Sequence, residues 1–69
     1  MITEQEAIER AKERLTQAKA PYEGREVTVS NKGKKYKVTF LPPKGMLAGD
    51  FVVVLNADTG EVIETVIGR

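Results

Sequence analysis

The end of the chain holds two apolar segments joined by a tight turn, and this pattern limits the possible folds more than any other feature. The segment Phe51–Leu55 is entirely apolar, and the residues from Val62 to Ile67 are again mostly β-branched. Asp58-Thr59-Gly60 lies between them, and its glycine can take the positive φ that a short loop needs. The sequence therefore predicts a β-hairpin over about residues 50–67.

The first strand of this hairpin is apolar on both sides. Phe51, Val53 and Leu55 alternate onto one face, and four valines are predicted to share the other: Val52, Val54, Val62 and Val66. A strand of this kind belongs in the interior of a sheet, since an exposed edge would invite aggregation. The four valines form a candidate surface for a partner or for a homodimer.

A second period-two pattern lies upstream. Val27 and Val29 alternate with polar residues, and after a lysine- and glycine-rich turn so do Tyr36, Val38 and Phe40. This predicts another hairpin, over about residues 25–41. With Lys32 and Gly33 at its tip, Val29 would face Tyr36 and Val27 would face Val38, which places all the apolar residues on one side.

The chain begins with the pattern of an amphipathic helix. Thr3 and Glu6 have the spacing of a capping box, in which each side chain bonds to the other residue's amide. Ile8, Ala11, Leu15 and Ala18 then recur at helical spacing and predict one buried stripe. Because Pro21 disfavours helical geometry in the residue before it, the helix is predicted over about residues 3–20.

These elements together predict a single α+β domain. Its expected architecture is one N-terminal helix packed on a four-stranded antiparallel sheet, built as a meander of two hairpins, with an irregular loop at 42–49. A chain of 69 residues leaves room for one small core and little room for a buried cleft.

The composition argues against catalysis. The chain has no cysteine and no histidine, so it lacks a thiolate nucleophile and the commonest general base and metal ligand. Asp58-Thr59-Gly60 matches the triplet of aspartic proteases, but those enzymes need two such carboxylates and the turn explains the single copy. We expect no catalytic residue, metal or cofactor.

The apolar run Phe51–Leu55 is far shorter than the roughly 20 residues that cross a bilayer, so no membrane span is expected.

Two further segments are candidate binding sites. The loop carries Pro43, Met46 and Leu47, whose apolar side chains either anchor a partner or close over the small core. The first hairpin concentrates positive charge, on Lys32, Lys34, Lys35 and Lys37. Such a patch suits nucleic acid, although strand lysines also keep a sheet soluble, and the expected stacking residues Tyr36 and Phe40 alternate into the core.

Three motifs in order resemble those of the PepSY domain family. They are the capped helix start Thr3-Glu-Gln-Glu-Ala-Ile8, the strand motif Tyr36-Lys-Val38, and the turn Asn56-Ala-Asp-Thr-Gly-Glu-Val62. The resemblance covers most of the chain. It implies a cystatin-like α+β module of the kind found in propeptides of secreted metallopeptidases and in bacterial envelope proteins, where it is thought to hold peptidases in check.

The expected function is therefore non-catalytic protein binding, with inhibition by steric occlusion and a peptidase as one possible partner. One alternative is a nucleic-acid-binding accessory protein that uses the basic hairpin, and another is a purely structural or designed domain.

The N-terminal segment Met1–Glu6 is acidic where a secretory signal would be basic and then apolar. This predicts either a cytoplasmic protein, as in a small bacterial or phage genome, or an envelope or secreted domain cut from a longer precursor.

Overall fold

A computed structural model describes residues 1–42 and 49–68. Its elements are α1 (Glu4–Gln17), β1 (Val27–Lys32), β2 (Lys35–Phe40), β3 (Phe51–Asn56) and β4 (Val62–Ile67). The strands form one antiparallel sheet in the order β1-β2-β3-β4, with α1 packed on one face. This confirms the predicted α+β meander and the interior position of β3.

The start of α1 is capped by one side chain. The Thr3 hydroxyl accepts a hydrogen bond from the Glu6 amide over 3.1 Å, as the capping box predicts. The Glu6 carboxylate does not complete the box, because it accepts from the Arg10 guanidinium one turn later, at 3.3 Å. The structure therefore confirms the predicted start of the helix. It does not show the second bond of the capping box, from the Thr3 amide to the Glu6 side chain.

The helix ends at Gln17, three residues before the predicted limit at Ala20. Lys19 takes a left-handed conformation with φ 58° and donates its amide to the Thr16 carbonyl at 3.0 Å. The Ala20 amide donates to the Leu15 carbonyl at 2.9 Å, which completes a Schellman motif. The left-handed residue thus ends the helix before Pro21 has any effect.

We expect Lys19→Gly to stabilise the protein by about 0.5–1 kcal/mol, because glycine adopts the left-handed conformation without a Cβ clash. Thermal unfolding followed by circular dichroism should show a midpoint higher by roughly 4 °C. The matched control Glu9→Gly places glycine at an exposed position inside α1 and should cost about 1 kcal/mol. A midpoint lowered by Lys19→Gly would contradict the Schellman assignment.

The core lies between α1 and the inner face of the sheet, defined here as the face that α1 covers. Ala7, Ala11 and Leu15 are fully buried on the helix, whereas Ile8 and Ala18 of the predicted stripe are not fully buried. The two buried alanines let the helix approach the sheet closely. The strands contribute the buried residues Tyr36, Val38, Phe40, Phe51, Val53 and Leu55.

The register of the first hairpin differs from the prediction by two residues. Lys32 pairs with Lys35, so Gly33 and Lys34 form the loop, and Val29 lies opposite Val38. Gly33 has φ 65° at the first of two loop positions, as a type II′ turn requires. Because side chains alternate with a period of two, this shift leaves every apolar residue on the predicted side.

Candidate binding surface

The face of the sheet that points away from α1 is called the outer face here. The strand pairing brings its residues into three rows across the sheet. These rows are Thr28-Thr39-Val52-Val66, Ser30-Lys37-Val54-Glu64, and Lys32-Lys35-Asn56. Among the described residues, every fully buried strand residue belongs to the inner face, so the outer face has no core of its own.

Three of the four predicted valines lie together on the outer face. Val52 is directly opposite Val66, and Val54 is two residues along the same strand. Val52 and Val54 are half-buried, while Val66 is 48% exposed. They form a small apolar patch, termed the valine patch, on the side of the outer face formed by β3 and β4.

The prediction for Val62 is wrong, because the structure places it on the inner face. The β3–β4 register shifts between Val54 and Leu55, so Val54 pairs with Glu64 but Leu55 pairs with Val62. Ile63 is the extra residue of this β-bulge, which changes the alternation that the sequence alone would suggest. Val62 accordingly lines a shallow depression beside the Arg10 and Gln17 side chains of α1.

The predicted basic cluster is divided between the outer face and a turn. Lys32, Lys35 and Lys37 are exposed on the outer face, and Lys34 lies in the loop between β1 and β2. Lys37 is next to Val54, so the lysines border the valine patch. Sequence reasoning did not single out Thr28, Ser30 and Thr39, although strand alternation alone places these hydroxyl groups on the same face.

The aromatic residues of the basic hairpin lie on the opposite side of the sheet. Tyr36 is 6% exposed and donates its hydroxyl to the Ile2 carbonyl at 3.1 Å. Phe40 is fully buried, and its ring centroid lies 5.6 Å from that of Tyr22. These rings hold the N-terminus and the connector to β1 in place, and neither is available to stack on a nucleotide base beside the lysines.

The Asp58-Thr59-Gly60 segment forms the turn that its sequence predicts. The Asn56 side-chain oxygen accepts from the amides of Asp58 and Thr59, at 2.8 and 3.2 Å. Gly60 has φ 79° and donates its amide to the Asn56 carbonyl at 2.7 Å. The positive φ favours glycine at this position, whereas the nearby Arg10 guanidinium is the mobile end of an exposed side chain that could move away from a Cβ.

The loop candidates Pro43, Met46 and Leu47 lie outside the described residues. The chain just after that loop is tied to the rest of the molecule through Arg25, whose guanidinium donates to the Gly49 carbonyl at 3.0 Å and to the Pro21 carbonyl at 3.3 Å. The same group lies 3.8 Å from the centre of the Phe51 ring, in a cation–π contact.

Within residues 1–42 and 49–68 there is no group of three or more acidic side chains placed to hold a metal ion. The helix of the described chain is neither long enough nor apolar enough to cross a membrane. No protein-family model, curated protein or solved structure matches this chain.

Proposed function

We propose that this chain is a non-catalytic protein-binding module of the PepSY type that contacts its partner through the outer face of the sheet. The observation that carries the proposal is that α1 covers only one of the two faces of the sheet. The helix buries the inner face, while the opposite face offers the valine patch, bordered by Lys35 and Lys37. Apolar surface beside fixed charge is suited to a protein surface that is itself apolar and acidic.

The proposed action is steric occlusion. Thr39, Val52 and Val54 are short, branched side chains near the centre of the outer face, so this part of the sheet can lie against a partner's groove without losing much side-chain entropy. The lysines would set the orientation by facing carboxylates of the partner. If the partner is a peptidase, covering its groove inhibits it with no covalent step.

The test is affinity capture from a lysate of the source organism, followed by mass spectrometry, with the wild-type chain and the Val52→Thr/Val54→Thr variant side by side. Threonine keeps the branched shape and the strand preference but replaces one methyl group of each valine by a hydroxyl, which makes the patch less apolar. We expect the double variant to bind the captured protein at least about tenfold more weakly, a loss of about 1.4 kcal/mol. Where the captured protein is a peptidase, its inhibition should fall in parallel.

The matched charge controls are Lys35→Glu/Lys37→Glu on the outer face and Lys12→Glu/Lys19→Glu on or next to α1. Both double variants change the net charge by the same amount and differ only in location. If the outer face is the contact surface, only the outer-face pair should weaken the complex. Undiminished binding by the valine variant, with its thermal midpoint unchanged, would reject the outer face as the contact surface.

Nucleic-acid binding is the second candidate, because Lys32, Lys35 and Lys37 share one exposed face. Four lysines, including Lys34, would give a slope of about −3 for the dependence of log affinity on log salt with a single strand. With Tyr36 and Phe40 buried, that binding would rest on charge alone and be weak. Loss of all captured material after nuclease treatment, together with loss in Lys35→Glu/Lys37→Glu, would favour this candidate over the first.

A further inference from the structure

The exposed apolar side chains of the described residues are concentrated on one edge of the sheet. Apart from Met1, the large hydrophobic residues that are exposed all belong to β4: Val62, Ile63, Val66 and Ile67, at 39–49%. β4 is the last strand in the sheet order. It contains no lysine or proline, the residues that commonly protect an edge, and Glu64 is its one charged residue.

The opposite edge of the sheet has a different character. β1 carries Thr28, Ser30, Asn31 and Lys32 as its exposed residues, and its two valines are half-buried. This edge is polar and ends in a lysine, so it has the usual protection against strand addition. The two edges are therefore unequal: within residues 1–42 and 49–68, β4 is the edge strand that combines unpaired backbone groups with exposed apolar side chains.

The backbone groups of β4 that point away from the sheet can be identified from the ladder. The Gly68 amide donates to the Asp50 carbonyl at 2.9 Å, and hydrogen-bonded pairs alternate along an antiparallel ladder. Val66 and Glu64 are therefore bonded to β3, whereas Thr65 and Ile67 direct their amides and carbonyls to the free edge. These are the groups that a further strand would use.

We propose that β4 pairs antiparallel with β4 of a second copy, which joins two four-stranded sheets into one continuous eight-stranded sheet. Two-fold symmetry makes this interface self-complementary. Side-chain alternation allows only registers that pair residues of the same face, and direct pairing of Glu64 with Glu64 would oppose like charges. Centring the interface on Thr65 instead places Glu64 opposite Val66 of the second copy and Ile63 opposite Ile67.

The Thr65-centred register avoids the Glu64 pairing, and Thr65 directs both its amide and its carbonyl to the free edge, so it can form a hydrogen-bonded pair with Thr65 of the second copy. This is the register to be tested. A single six-residue strand buries less surface than the roughly 800 Å² per partner of a standard interface. The expected dimer is therefore weak and depends on concentration. Both copies of α1 would lie on the same side of the joined sheet, and the two outer faces would be continuous.

The first experiment is sedimentation equilibrium of the wild-type chain and of two matched lysine variants, from micromolar to millimolar concentration. Ile67→Lys places a charge on the apolar edge, and Ser30→Lys places the same charge on the polar edge of β1. We expect wild type and Ser30→Lys to dimerise alike, and Ile67→Lys to dimerise at least about tenfold more weakly. Thermal midpoints measured at low concentration show whether each variant is folded.

A second measurement tests the register and remains informative if Ile67→Lys fails to fold. The chain has no cysteine, so Thr65→Cys and Glu64→Cys each introduce a single thiol. In the proposed register the Thr65 positions of the two copies are directly opposed, within the roughly 4.4–6.8 Å between Cα atoms that a disulfide spans. The two Glu64 positions are diagonal neighbours at about 7–8 Å. Thr65→Cys should therefore cross-link at least about tenfold faster than Glu64→Cys.

Monomeric behaviour over the whole concentration range would overturn the proposal. A strand from a different protein would then be the remaining candidate partner for the β4 edge. Faster cross-linking of Glu64→Cys than of Thr65→Cys would overturn the register. A dimer weakened by Ser30→Lys and not by Ile67→Lys would overturn the choice of edge.

Discussion

Replacing Phe40 by alanine is expected to lower the free energy of unfolding by about 3–5 kcal/mol. Phe40 is the largest fully buried side chain of the described residues, lies opposite Phe51 and contacts the Tyr22 ring. Removing such a ring costs about 3–5 kcal/mol, including the cavity that remains. A domain of 69 residues has a total stability of roughly 4–10 kcal/mol, so this loss removes a large part of it.

The measurement is urea denaturation followed by far-ultraviolet circular dichroism. Val66→Ala is the matched control, because Val66 is an apolar residue of the same sheet that is 48% exposed, and its truncation should change stability by about 0.5 kcal/mol or less. A Phe40→Ala variant that unfolds at the same urea concentration as the control would show that the core is not centred on this ring.

Leu15→Ala should produce the second large loss, about 2–5 kcal/mol. Leu15 is the one large fully buried side chain of α1, since the other fully buried positions of the helix, Ala7 and Ala11, are already alanine. It therefore supplies much of the apolar contact that holds the helix on the sheet. Its carbonyl also accepts from Ala20 in the Schellman motif, but that backbone bond survives the substitution.

Thermal unfolding should show the midpoint of Leu15→Ala lowered by about 10 °C or more, since each kcal/mol shifts a domain of this size by roughly 4–8 °C. Ile8→Ala is the control on the same helix, where Ile8 is only half-buried and the loss should be smaller. Equal losses for the two variants would mean that α1 presents a different stripe to the sheet.

The elements of this fold follow from local patterns. Alternation over Tyr36–Phe40 and Phe51–Leu55 predicts strands with the correct inner residues, and Thr3 predicts the start of the helix to within one residue. These predictions succeed because the spacing of apolar residues along the sequence decides which of them share one face of a helix or strand. The basic side of the first hairpin could be predicted for the same reason, since a register shift of two residues leaves its lysines on the outer face.

The features that depend on neighbours could not be predicted in this way. Counting alternate positions placed Val62 with Val52 and Val54, but the bulge at Ile63 transfers it to the inner face. The exposure of Ile63 and Ile67, at 49% and 40%, is likewise visible only in the tertiary structure, because it depends on how much of β4 the helix covers.

The sequence by itself determined the order of the elements, the inner faces of β2 and β3, and the turn at Gly60, because these depend on periodicity and on a φ value that favours glycine. Only the tertiary structure decided the left-handed end of α1, the register of the first hairpin and the bulge in β4. Each of these is a choice between local conformations of similar energy, and the packing of α1 and the four strands selects among them.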